Sequence, residues 1–160
     1  MAVKVSKVFS DPWYFLAMGC GSGLVPKMPG TAGSLLALVF YFILAQAGTW
    51  LYATVVLIAL GFGVWLCDRV ARDMQMKDPS SIVWDEFVGV WIALFMLPGG
   101  WYWVLAGFVL FRFFDILKPW PVNWLDENLT GGAGIMMDDV VAAIYSLIIV
   151  QVTAFGIESL

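Results

Sequence analysis

The sequence predicts an all-α protein, an integral membrane helical bundle of about five transmembrane helices preceded by a short helix at the membrane interface. Three observations lead to this fold class. Of the 160 residues, 62% are hydrophobic and 16% are aromatic. Only 12% are charged, which is about half the share in a soluble domain. The charges fall in short stretches between long apolar runs, the pattern of helices that cross a bilayer.

Two long uncharged runs and a third, shorter one determine the number of crossings. The first lies between Lys27 and Asp68, and the second lies between Glu86 and Arg112. Turn residues break each run near its middle, at 47–49 and at Pro98-Gly99-Gly100, so each predicts a hairpin of two helices. The five predicted spans are Gly33–Gln46, Trp50–Leu66, Ser81–Leu97, Trp101–Leu117 and Val140–Ile157.

The N-terminal part and the overall organisation follow from composition. Pro12–Met18 is predicted to be a short interfacial or re-entrant helix, because Trp13 and Tyr14 are residue types of the aromatic belt. The chain has no internal repeat and no low-complexity linker. We therefore expect residues 1–160 to form a single membrane-embedded domain.

Threading these spans through a bilayer places all eight basic residues on one side. The positive-inside rule makes that side cytoplasmic, with the N-terminus inside. All twelve acidic residues except Glu158 fall on the same side, although Asp and Glu contribute little to orientation. Ionisable residues at membrane depth are costly and usually functional. The pattern therefore predicts one polar site at the cytoplasmic face.

Composition also excludes several classes of function. The chain has no histidine, which removes His-nucleophile phosphatases, Ser-His-Asp hydrolases and most zinc enzymes. A net charge of −4 argues against a nucleic-acid partner. Two cysteines cannot form a disulfide scaffold, and neither begins a Cys-x5-Arg motif. Catalysis would have to use carboxylates, basic groups, hydroxyls, backbone amides and a hard metal ion.

A glycine-rich segment, 19–34, precedes the first span and contains Lys27, Thr31 and Ser34. Glycines let backbone N–H groups converge on an anion, and Thr31 is predicted to cap the following helix. The segment could therefore hold a phosphate. The alternative is a mobile loop followed by an ordinary helix start.

Two pairs of adjacent carboxylates begin predicted helices. Asp85 and Glu86 lie about one turn into the third span if Ser81 is its N-cap, and Asp138 and Asp139 follow a glycine turn. Adjacent acids resist joint ionisation unless a cation lies between them, and ligands that are all oxygen favour Mg²⁺. The alternative is that these acids only compensate the dipoles of their helices.

A third group combines both signs of charge. Arg112, Asp115 and Lys118 are spaced i, i+3 and are expected to share one face of the fourth span. Arg112 and Lys118 would clamp a phosphate, and Asp115 would act as a ligand or base. The alternative is a self-contained set of ion pairs at the interface.

Four segments in this order resemble the bacterial phosphatidylglycerophosphatase A family, over roughly residues 11–143. They are Gly21-Ser22-Gly23-Leu24 with Pro29-Gly30-Thr31-Ala32-Gly33-Ser34, Ile82-Val83-Trp84-Asp85-Glu86-Phe87-Val88-Gly89, Phe111 to Pro121, and Gly131 to Asp139. The resemblance implies a Mg²⁺-dependent enzyme of the bacterial inner membrane. It would hydrolyse phosphatidylglycerol phosphate to phosphatidylglycerol and inorganic phosphate.

The combined hypothesis assigns a role to each candidate residue. The bilayer and the phospholipid substrate are the expected partners, and no protein partner is implied. Two other readings stay open: a non-catalytic membrane protein that binds an ion or a lipid headgroup, and a membrane phosphotransferase. In the hypothesis Asp85, Glu86, Asp138 and Asp139 bind one or two Mg²⁺ ions, Asp115 orients or deprotonates the attacking water or completes the metal shell, and Arg112, Lys118, Thr31, Ser34 and Lys27 hold the phosphate.

Overall fold

The computed structural model describes residues 5–158, with the side chain of Glu158 left out, and the described part contains helices and no strand. The all-α prediction is confirmed. Short 3-10 segments occupy Gly19–Leu24 and Ala45–Ala47. The α-helices are α1 (Val5–Ser10), α2 (Pro12–Ala17), α3 (Pro29–Leu44), α4 (Thr49–Asp73), α5 (Trp84–Ala93), α6 (Trp101–Leu117), α7 (Val122–Asn128) and α8 (Gly131–Glu158).

Three helical stretches of the described chain are long and apolar enough to cross a membrane. The other two predicted spans form shorter helices. Helix α6 keeps the predicted bounds with 17 residues, or about 25 Å, whereas α5 has ten residues and is only about 15 Å long. The three long stretches are Pro29–Ala47, Thr49–Asp73 and Gly131–Ile157.

Helix α8 lies at the centre of the bundle and packs against α4, α5, α6 and α7, while α3 packs against α5. Two polar side chains of α8 bind backbone carbonyls of the neighbouring hairpin. The Ser146 hydroxyl donates to the carbonyl of Gly107 at 2.8 Å. The amide of Gln151 donates to the carbonyls of Phe95 and Met96 at 3.1 and 2.8 Å. These carbonyls follow the end of α5, so Gln151 satisfies groups that a longer helix would have paired internally.

Two predicted helix caps are wrong. Helix α5 begins at Trp84, with Val83 and not Ser81 at the N-cap; the Val83 N–H donates to the carbonyl of Ala17 at 2.9 Å. Helix α3 begins at Pro29, so Thr31 lies inside its first turn. Proline is suited to a first helical position because it needs no N–H partner there.

Two helices were absent from the sequence prediction, α1 and α7, and α8 begins at Gly131 where a start at Val140 was expected. The earlier start depends on close packing. A Cβ on Gly132 would overlap the backbone carbonyl oxygen of Val64 in α4, so only glycine lets the first turn of α8 lie against α4.

The helix directions bring four helix segments to one end of the bundle. The starts of α3 and α5, the end of α6 and the second turn of α8 all lie there, as the contacts below show. The hairpin turns before α4 and before α6 lie at the other end. The charged residues at this end of the bundle therefore come from several separate helices.

Candidate active site

Arg112 of α6 joins three of these helices. Its guanidinium makes an ion pair with Glu86 of α5 and another with Asp115, one turn later in α6, at 2.8 Å. Its Nη1 also donates to the hydroxyl of Ser34 in α3 at 3.2 Å. Ser34 in turn donates to Glu86 Oε2 at 2.6 Å. The ion pair between Arg112 and Asp115 is the contact that the alternative interpretation of this group expected.

The close approach of α3 to this group depends on Gly30. A Cβ at that position would overlap Glu86 Oε1, and it would lie 3.4 Å from Nη2 of Arg112. The first turn of α3 therefore forms part of the wall around Glu86. The sequence predicted that this glycine-rich segment could hold a phosphate. In the structure, Gly30 leaves space for the Glu86 carboxylate.

Lys118 forms a second ionic group at the end of α6. It does not share a helix face with Asp115 as expected, because it ends the helix with a left-handed backbone (φ 44°). Its Nζ contacts Asp138 Oδ2 at 2.8 Å and Asp126 Oδ1 at 3.0 Å. Partial burial lowers the pKa of Lys118, but the hydrogen bonds to Asp138 and Asp126 outweigh it and raise the pKa above its usual value. The ammonium group therefore stays charged.

The charged site at this end of the bundle is called the cluster below, and its residues are Ser34, Asp85, Glu86, Arg112, Asp115, Lys118, Asp126, Asp138 and Asp139. Four of its buried polar atoms have no hydrogen-bond partner. They are Asp85 Oδ1, Asp138 Oδ1, Asp139 Oδ2 and Arg112 Nε. Asp138 and Asp139 are only 7% and 3% exposed. An unpaired buried polar atom costs about 1–3 kcal/mol, and such atoms are rare in native proteins. Unpartnered buried atoms on four charged side chains indicate that other atoms are expected to bind here.

The carboxylates also repel one another. Asp85 is repelled by Glu86 and Asp138, and Asp139 is repelled by Glu86 and Asp115. Buried like charges are tolerated when a cation or protons compensate them. A cationic ligand would therefore stabilise the cluster.

A divalent metal fits the chemistry of these donors. Among residues 5–158, no group of three or more acidic or cysteine side chains is already arranged to hold a metal ion. The unpaired oxygens of Asp85, Asp138 and Asp139 are nevertheless hard, anionic ligands of the kind that Mg²⁺ prefers. Glu86 is bound by Ser34 and Arg112, which favours a positioning role for it.

The structure does not bring every candidate into contact with the cluster. Lys27 is exposed and Thr31 is half-buried, and no hydrogen bond or ion pair between described residues joins either one to the acids. Asp126 was missed by the sequence analysis. It lies in α7, a short helix that follows Pro119 and Pro121 and has no long apolar run, so no periodic pattern pointed to it.

A second charged region lies at the end of α4, where the i, i+4 spacing of Asp68 with Arg72 and of Arg69 with Asp73 predicts two ion pairs. The pair of Arg72 with Asp68 is confirmed at 2.9 Å. Asp73 pairs instead with Lys7 of α1 at 2.6 Å, and Arg69 lies over the rings of Trp13 and Trp65. This region attaches the N-terminal helices to α4 and lies outside the Arg112 group.

The fold and the cluster define a helical membrane protein with a buried site rich in both acidic and basic groups. Comparison with known proteins gives its family. The model of the family described as Phosphatidylglycerophosphatase A matches residues 15–154, and the chain belongs to that family of phosphatases. The resemblance noted from the four segments is thereby confirmed.

Curated relatives agree with this assignment. A phosphatidylglycerophosphatase A of Escherichia coli K12 is 51% identical over 86% of this chain and 80% of its own. One of Haemophilus influenzae Rd is 47% identical over 88% of this chain and 87% of its own. A protein of Bacteroides thetaiotaomicron, provisionally named a phosphatidylinositol-3-phosphatase, is 44% identical over 89% and 93%. No solved structure matches the chain.

Proposed function

We propose that this protein hydrolyses the phosphomonoester of phosphatidylglycerol phosphate, releasing phosphatidylglycerol and inorganic phosphate, with Mg²⁺ as cofactor. The observation that carries the proposal is that Asp85, Asp138 and Asp139 each keep a buried carboxylate oxygen without a hydrogen-bond partner, and that Arg112 keeps an unpartnered Nε. The names of two relatives, each about half identical to this chain, support the choice of substrate.

The basic groups bind the phosphate in this proposal. Nη1 of Arg112 is fixed by Glu86 and Asp115, and its buried Nε has no protein partner, so the Nε–H can donate to a phosphate oxygen. Lys118 adds a positive charge that Asp126 and Asp138 hold in place. Donors that are already oriented stabilise charge developing on the phosphoryl oxygens without reorganising.

The residues that would hold Mg²⁺ are Asp85, Asp138 and Asp139. When bound, such an ion polarises a phosphomonoester and makes a water molecule more acidic. The acids of the cluster compensate the charge of the ion, which relieves their mutual repulsion. Glu86 Oε2 pairs with the Arg112 guanidinium and accepts a hydrogen bond from the Ser34 hydroxyl. Glu86 therefore acts through Arg112, whose position it fixes.

In the reaction, a water oxygen forms a bond to phosphorus as the bond from phosphorus to the glycerol oxygen breaks. The water loses a proton to a carboxylate, and the leaving glycerol oxygen gains one. Asp115, which pairs with Arg112, is the acid that can orient the attacking water or accept its proton. No residue of the chain becomes covalently modified in this scheme.

The proposed location is the cytoplasmic face of the bacterial inner membrane. The cluster lies at the end of the bundle that carries the basic residues, and basic residues mark the cytoplasmic side. The acyl chains of a lipid substrate can stay in the bilayer while its headgroup reaches this end. Such a substrate needs no deep aqueous tunnel, which suits a small protein.

The test measures phosphate release by the purified full-length chain in mixed micelles. We expect release from phosphatidylglycerol phosphate with Mg²⁺, and none with EDTA until Mg²⁺ is restored. Phosphatidylinositol 3-phosphate serves as the competing substrate, because one relative carries a name of that kind.

The outcomes separate the alternatives. Faster release from phosphatidylinositol 3-phosphate would overturn the proposed substrate, and full activity in EDTA would overturn the proposed cofactor. Lipid binding without phosphate release would identify a binding protein. Addition of an alcohol that becomes phosphorylated would identify a phosphotransferase.

A further inference from the structure

A groove of about 560 Å³ opens beside the cluster, between the chain before α3 and the chain before α5. One wall is formed by residues 23–27 and Pro29, and the other is formed by Met74, Met76 and residues 79–81. The two walls touch each other directly, because a Cβ on Gly23 would overlap the carbonyl oxygen of Ser81. The groove is therefore a formed feature of the fold.

The charge of the groove differs from that of the cluster. Its described lining includes one cation, Lys27, the hydroxyls of Ser80 and Ser81, and no acid. The rest of that lining is mainly apolar. Val25, Met28 and Met76 at or beside the groove are 44%, 59% and 40% exposed, which suits side chains that reach the acyl boundary of a bilayer. A single anion attached to apolar groups fits this surface.

Both walls lead directly into the proposed active site. Pro29 lines the groove and is followed by Gly30, which packs against Glu86. Ser81 lines the opposite wall and lies four residues before Asp85. Three residues of chain span at most about 11 Å, so Lys27 lies within that distance of Gly30. A molecule with two anionic groups could contact both places.

We propose that this groove binds the phosphodiester and glycerol backbone of the lipid substrate, with Lys27 paired to the diester phosphate. This inference rests on the proposed function and deepens it. The substrate carries a terminal phosphomonoester. A three-carbon glycerol links this group to a phosphodiester, which the reaction leaves intact. Arg112 and Lys118 bind the first phosphate, and Lys27 binds the second. Lys27 is thus a residue for substrate specificity and takes no part in bond cleavage.

The experiment measures binding of a short-chain phosphatidylglycerol, which has the diester and lacks the monoester, to the full chain in neutral detergent. Calorimetric titration compares wild type with Lys27→Gln, Lys27→Arg and the matched control Lys77→Gln, another exposed lysine. We expect about tenfold weaker binding for Lys27→Gln, the size of one charge-assisted hydrogen bond. Lys27→Arg and Lys77→Gln should bind as wild type does. Thermal unfolding shows that each variant is folded.

A kinetic measurement accompanies the titration. For phosphatidylglycerol phosphate, Lys27→Gln should raise KM by about the same factor and leave kcat unchanged. Unchanged binding by Lys27→Gln, equal weakening by Lys77→Gln, or no binding by wild type would overturn the groove assignment. If wild type binds phosphatidylglycerol through Lys27 but releases no phosphate from the substrate, the groove stands and the proposed activity fails.

Discussion

Arg112 organises the candidate site at the scale of single residues. It binds Glu86 from α5, Ser34 from α3 and Asp115 from its own helix. Removing one partner of a buried ion pair commonly costs about 3–5 kcal/mol. Loss of activity in an Arg112 variant would therefore mix a catalytic effect with a structural one, so a residue without such bonds gives a clearer test.

Asp139 is that residue, because its Oδ2 is buried and unpartnered and its charge is repelled by the neighbouring acids. We predict that Asp139→Asn abolishes phosphate release while leaving the thermal stability of the Mg²⁺-free protein equal to or above that of wild type. The isosteric amide removes a repelled charge without creating a cavity. Activity assays and thermal unfolding in EDTA check both parts.

The variant Asp11→Asn is a suitable comparison. Asp11 is the N-cap of α2 and accepts a hydrogen bond from the Trp13 N–H, which asparagine can also accept. It should keep its activity. Turnover of Asp139→Asn at the wild-type rate, or its failure to fold, would count against the assigned role.

At the scale of the helices, the close contact between α4 and α8 determines how the site is positioned. The first turn of α8 lies so near α4 that a Cβ on Gly132 would overlap the carbonyl oxygen of Val64 and come within 2.7 Å of the Asp68 nitrogen. Both atoms belong to the backbone and cannot rotate away. Because Asp138 and Asp139 follow on the same helix, this contact also sets the position of the carboxylates.

We predict that Gly132→Ala lowers the thermal unfolding temperature markedly, with a loss of about 3 kcal/mol from overpacking, and reduces activity by displacing α8. Gly61→Ala is the matched control, since Gly61 is also helical and has no atom within 4 Å of its Cβ position. Alanine is the better helix former by about 1 kcal/mol, so this control should be as stable as wild type or more so. Equal stability of both variants would contradict the packing argument.

The sequence predicted these elements unequally. The bounds of α6 followed from its long apolar run between a Pro-Gly-Gly turn and Lys118-Pro119, both of which are local signals. The short α5 could not be predicted, because its end depends on Gln151 of a distant helix. Asp126 reached the site through tertiary packing alone, which no local pattern in the sequence reveals.

At the scale of the whole molecule, aromatic side chains mark two levels along the bundle. Trp101 at the start of α6 and Trp120 just after its end are each 76% exposed. Helix α6 has 17 residues and separates the two levels by about 25 Å, close to the hydrocarbon thickness of about 30 Å. Tryptophan prefers the membrane interface, so these residues are consistent with a bundle that spans the bilayer with its charged end at one interface.

The native cysteines test which side that end faces. Cys20 is exposed and lies in the segment before α3, whereas Cys67 is buried. We predict that a membrane-impermeant maleimide labels the protein in inside-out vesicles and not in right-side-out vesicles. Cys20→Ser should remove the labelling. Labelling of Cys20 in intact right-side-out vesicles would place the site on the other face.

The account depends most on acids from α5 and α8 meeting around one divalent cation. The most direct measurement is calorimetric titration of Mg²⁺ into the purified full-length chain, alongside Asp85→Asn, Asp138→Asn and Asp139→Asn. We predict saturable binding by wild type and its loss or strong weakening in each variant. The same binding curve in all four proteins would contradict the account.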